Sequence, residues 1–123
     1  MPLINQIQKK IRMDRWDIVK FQLNIHCHLN KIILSDLDLC CLTLLALTGE
    51  IILGDFCKTA VESNVATSHQ SVRNIVNKAE EKQLITKNGK NKKKITLNIQ
   101  NIQTSGNILL EYKIVRVEPK EAL

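Results

Sequence analysis

Residues 66–96 read ATSHQSVRNIVNKAEEKQLITKNGKNKKKIT, and the division of this stretch decides the fold. Val72, Ile75, Val76 and Ala79 recur at helical spacing, so a helix with one inward stripe is predicted from Thr67 or Ser68 to about residue 79. Thr67 is read as its N-cap, with Gln70 three residues on as the reciprocal partner of a capping box. Ser68, His69, Gln70, Arg73, Asn74, Asn77 and Lys78 are left on the outer face. Leu84-Ile85-Thr86 then returns to extended structure, and Asn88-Gly89 is a turn signal. Ile95, Leu97 and Ile99 alternate along a second strand. The stretch is a helix followed by a hairpin loaded with Lys87, Lys90, Lys92, Lys93 and Lys94.

Upstream, Ser35 is read as an N-cap, with Asp36 and Asp38 in the first turn, where the helix dipole favours negative charge. This helix runs to about Thr48 and stops at Gly49. Leu37, Leu39 to Leu42 and Leu44 to Leu47 leave it almost no polar stripe, so it must be covered on more than one side. Glu50–Leu53 reads as a short strand. Gly54 and Asp55 open a second helix with Phe56, Ala60 and Val61 inward.

The order helix, short strand, helix, turn, helix, hairpin resembles the winged helix-turn-helix superfamily over residues 34–99. Its most specific words are SVRNIVNKAEEKQLITK and the lysine-rich hairpin that follows. Gln83 stands where glycine is common in that family. The resemblance implies an α+β fold and a double-stranded DNA ligand, in transcription regulation or in replication of a phage or mobile element.

The residues support the same expectation by their chemistry. An α-helix fits the major groove, where arginine can read guanine and Asn or Gln can read adenine. Gln70, Arg73, Asn74, Asn77 and His69 supply such groups, while Thr67, Ser68 and the helix start favour a phosphate. Lys78 and the hairpin lysines 87, 90, 92, 93 and 94 would add contacts blind to sequence. From Arg73 to Lys94 there are eight basic residues against two acids, an excess equal to the whole chain's net charge of +6. The same features also describe a solvated surface or a winged helix used for protein contacts, as in a structural component of a phage particle.

Outside residues 34–99, Phe21, Leu23, Ile25, Cys27 and Leu29 alternate with polar residues, so a strand is predicted over 16–29. A further strand is predicted over 107–118. These two would pair and cover the apolar first helix, leaving an edge through which copies of the chain could associate. Residues 1–15 read as a short amphipathic helix or an arm. The 123 residues are expected to form one domain, with apolar residues at 44% to fill one core and aromatics at only 3%.

The start shows no secretory pattern and no apolar run reaches the ~20 residues of a membrane span, so a cytoplasmic or virion location is expected, without membrane partners. The four cysteines form no C-x-x-C pair, and His26-Cys27-His28 lacks further ligands at metal spacing. No nucleophile constellation, P-loop or dinucleotide fingerprint is present, so neither catalysis, cofactor nor metal is expected.

Overall fold

The computed structural model describes residues 3–7 and 12–114. The chain divides into two compact units, residues 13–105 and a unit made from the two terminal regions. The architecture is α+β, with four helices and a three-stranded antiparallel sheet in the larger unit.

The larger unit begins with α1, Arg15–Leu29, where a strand is predicted over 16–29. Asp14 sets its start, the carboxylate accepting a hydrogen bond from the Asp17 amide at 2.9 Å. The sequence carries two apolar periods here, and the alternation hides the second. Trp16, Val19, Leu23 and Cys27 lie three and four apart, and the last three are buried. Length separates the two readings, because strands average five to six residues and this segment runs for 15. The other half of the alternating set, Phe21, Ile25 and Leu29, lies on a different side of α1.

Helix α2, Asp36–Thr48, follows the predicted bounds. Ser35 and Asp38 form a reciprocal capping box: the Ser35 hydroxyl accepts from the Asp38 amide and the Asp38 carboxylate accepts from the Ser35 amide, both at 3.1 Å. Thr43, fully buried in this apolar helix, donates to the Leu39 carbonyl at 2.8 Å. One side of α2 is covered by α1, which takes the place expected for a strand pair. The short strand β2, Ile51–Ile52, leads into α3, Leu53–Glu62, and then α4, His69–Glu81. Strands β3, Ile85–Asn88, and β4, Lys94–Leu97, complete the sheet in the order β2–β4–β3. Ile95 is the hub of this sheet, opposite both Ile51 and Lys87, and is fully buried. Leu23, Leu42, Leu45, Phe56, Val72, Val76 and Leu84 close the core around it.

Three helices end without glycine. Lys31, Asn64 and Gln83 each take a left-handed backbone, with φ of 57°, 61° and 63°. Each sits in the same paired-bond exit, such as Gln83 N–H to the Glu80 carbonyl and Leu84 N–H to that of Ala79. At Gln83 this holds the chain in the conformation that glycine adopts at less steric cost. Gln83→Gly is therefore expected to stabilise the fold by about 0.5–1 kcal/mol, read as a higher urea midpoint at unchanged slope.

In the smaller unit β1, Leu3–Ile7, pairs antiparallel with β5, Leu110–Ile114, in the register Leu3 to Ile114 and Ile7 to Leu110. Residues 3–7 are thus a strand rather than a helix, and β5 pairs with them rather than with residues 16–29. Residues 115–118 of the predicted terminal strand lie outside the described residues.

Candidate nucleic-acid interface

Helix α4 is amphipathic as its spacing predicts: Val72, Ile75, Val76 and Ala79 are all buried. Its N-cap is Ser68, not Thr67, and there is no capping box with Gln70. The Ser68 hydroxyl accepts from the Ser71 amide at 3.1 Å. Residue 71 stands three positions after Ser68, so the shift of one position follows from which hydroxyl reaches that amide. Thr67 stays exposed in the preceding loop.

His69, Gln70, Arg73, Asn74 and Asn77 are exposed along α4. They are not independent. The Gln70 side-chain Nε2 donates to the Asn74 side-chain Oδ1 at 2.9 Å, which steadies two candidate base-reading groups one turn apart. Burial pushes the Cys57 thiol up, and the Arg73 guanidinium opposes that shift, so Arg73 stands close enough to α3 to be felt there. The Cys57 thiol donates to the His69 carbonyl at 3.7 Å, tying the start of α4 to α3.

Two lysines assigned to the candidate surface are engaged by carboxylates of the fold. Lys78 reaches across to α2 and pairs with Asp38 at 2.6 Å. Its side chain is 46% exposed against 8% for the carboxylate. Lys87, on β3, donates to the Asn77 side-chain oxygen at 2.7 Å and pairs with Glu80 at 3.3 Å. Only 17% of the Lys87 side chain is exposed. The reason is strand alternation: Lys87 shares the inward face of the sheet with Ile85, toward α4, while Thr86 and Asn88 face away. No local pattern discloses Asp38 or Glu80 as partners, since 40 residues separate the first pair. The face also carries Glu81, exposed and one turn beyond Asn77, an acid that offsets part of its positive charge.

The hairpin tip keeps the remaining charge. Gly89 turns the chain at φ 80°, and Asn91 and Lys92 follow in left-handed conformations. The positive φ is what favours glycine there; a Cβ would also stand 3.1 Å from the exposed Lys94 side chain, which would have to shift slightly. The Lys92 amide donates to the Gly89 carbonyl at 3.1 Å, closing a tight turn over Lys90–Lys92. Lys90, Lys92, Lys93 and Lys94 are exposed and make no ion pair among the described residues. The Lys93 carbonyl accepts from the Leu53 amide at 2.8 Å, which anchors the end of the tip to the start of α3.

Elsewhere, Cys27, Cys41 and Cys57 are buried, and burial raises each thiol, that of Cys41 to about 11. No group of three metal-ligating side chains occurs among the described residues. No helix among them is long and apolar enough to cross a membrane. No family model, curated protein or solved structure matches the chain.

Proposed function

We propose that residues 13–105 form a winged helix that binds double-stranded DNA. Helix α4 would lie in the major groove and the β3–β4 hairpin would act as the wing on the adjacent backbone. The element order α2, β2, α3, α4, β3, β4 and the strand order β2–β4–β3 support this reading. The observation that carries it is the Lys87–Asn77 hydrogen bond. It fixes the wing's first strand against the outer face of α4, so the reading helix and the hairpin that bears the lysines are neighbours.

The roles then divide. Gln70, Arg73, Asn74 and Asn77 face the bases, with His69 and Thr67 toward the backbone at the helix start. Lys90, Lys92, Lys93 and Lys94 neutralise phosphates, and Ser68 caps the helix. Lys78 and Lys87 position α4 and the wing. Such a protein would act in transcription regulation or in replication of a mobile element.

A fluorescence anisotropy titration tests the reading, with a mixed-sequence duplex at about 50 and 200 mM salt and a single strand of the same length beside it. Duplex binding that weakens at least tenfold between those salts, and exceeds single-strand binding, is the expected result. Absence of binding at the lower salt would leave the protein-contact reading, which the exposed apolar residues of α1 favour.

A further inference from the structure

Asn77 stands exposed on α4, yet half of its side-chain amide is already engaged. Its Oδ1 accepts from the Lys87 ammonium at 2.7 Å. That ammonium also pairs with Glu80 at 3.3 Å, and only 17% of the Lys87 side chain is exposed, so the charge is held beside the amide. An ammonium donates and never accepts, so this bond has one possible sense. It commits the oxygen and leaves the Nδ2 hydrogens, which make no hydrogen bond among the described residues. The Gln70–Asn74 contact carries no such constraint, because two amides can exchange the roles of donor and acceptor.

We infer that Asn77 reads guanine rather than adenine, with Lys87 as the positioning residue that sets this choice. The inference rests on the duplex-binding reading of α4 above. By residue type alone an asparagine suits adenine, whose major-groove edge sets the N7 acceptor beside the N6 donor and matches a free carboxamide. Here the N6 amino group would have to donate to an oxygen that already holds an ammonium, and would approach that cation. Guanine shows two acceptors, N7 and O6, and meets only donors: the Nδ2 hydrogens, with the Lys87 charge behind them. Thymine offers a single acceptor beside a methyl group, a poorer match. Arg73, one turn earlier on the same face, also only donates. Two acids lie near. Glu80 is neutralised by Lys87, and Glu81, one turn beyond Asn77, is an acceptor that suits the N4 amino group of cytosine, the other half of a G·C pair.

Selection of duplexes from a pool with a randomised centre, by the full chain at about 50 mM salt, tests it, followed by anisotropy titration of duplexes that differ at one pair. The pair read by residue 77 is the one whose preference disappears in Asn77→Ala. There the wild type is expected to favour guanine over adenine by at least about fivefold. Lys87→Met frees Oδ1 and should move that ratio at least about fivefold toward adenine, at that pair alone. Lys87→Arg, which still donates, should keep guanine. A purely structural role for Lys87 would weaken all duplexes equally. If the protein binds duplex but favours adenine at that pair, loses no preference in Asn77→Ala, or keeps its ratio in Lys87→Met, the inference falls and duplex binding stands. If no duplex is bound, both fall. Should Lys87→Met fail to fold, 7-deazaguanine at that pair decides with the wild type. It lacks the N7 acceptor and should bind several-fold more weakly, and equal binding would overturn the inference.

Discussion

Asp38→Ala is expected to lower the stability of residues 13–105 by about 2–3 kcal/mol, more than any other single change to a polar residue in this unit. Asp38 is buried, its residue keeping 5% of its exposure, and its carboxylate serves two elements at once. It accepts from the Ser35 amide at the start of α2 and from Lys78 of α4. Truncation removes the carboxylate half of the capping box, worth about 1 kcal/mol as a charge-assisted bond, and leaves the Ser35 amide to find water, while the Ser35 hydroxyl keeps its bond from the residue-38 amide. It also removes the partner of Lys78, although that side chain is 46% exposed and its ammonium can rehydrate, so this part is discounted for solvent screening. Lys78→Met should therefore cost less than Asp38→Ala.

The same contact has a pH signature. Burial pushes the Asp38 carboxyl up, but the hydrogen bonds from Lys78 and Ser35 outweigh it and hold the group below its ordinary 3.8. A depressed folded-state value means that the unfolded chain takes up the proton first as the medium is acidified. The stabilisation is thus complete above about pH 4 and is lost as pH falls through the folded value. In urea unfolding from pH 7 to 2.5, the gap between wild type and Asp38→Asn should narrow below pH 4. A gap of constant size would show that the charge is not its source. Asp36, lowered by Lys20 at the surface, acts in the same direction in both proteins and leaves the comparison intact.

The elements that the sequence discloses are those with one inward stripe and a local end signal. Helix α4, helix α2 from its Ser35 cap to Gly49, and the hairpin around Gly89 all meet that condition. Helix α1 does not, because its apolar residues occupy two sides and imitate a strand's alternation. The Asp14 cap was the local signal that favoured a helix. Helix ends at Lys31 and Gln83 escape detection for a different reason: their left-handed backbone is held by the paired exit bonds rather than signalled by residue type, whereas Asn64 is a type that such exits favour. The candidate surface was legible as a set of residue types, but not as a set of free groups. Whether Lys78 or Lys87 is already partnered depends on Asp38 and Glu80, and only tertiary structure brings those pairs together.

That distinction sets the sharpest expectation for the proposed DNA contact. Four hairpin lysines and Arg73 are the unpaired cations of the surface, and each phosphate neutralised contributes about −0.9 to the slope of log affinity against log salt. The wild-type slope should be about −4.5. Replacing Lys90, Lys92, Lys93 and Lys94 together by glutamine should reduce its magnitude to about 1 and lower affinity at low salt by about 100- to 1,000-fold, equally on every duplex. The substitutions lie on an exposed turn, so the unfolding midpoint should hardly move. Lys87→Met should do the reverse, lowering stability by about 1 kcal/mol through the lost Glu80 and Asn77 contacts while leaving the slope near its wild-type value. Arg73→Ala should change the slope by only about one unit and alter which sequences are preferred. If the quadruple variant binds duplex as tightly as wild type and with the same salt slope, the tip does not grip the backbone. The lysines would then be no more than a solvated turn.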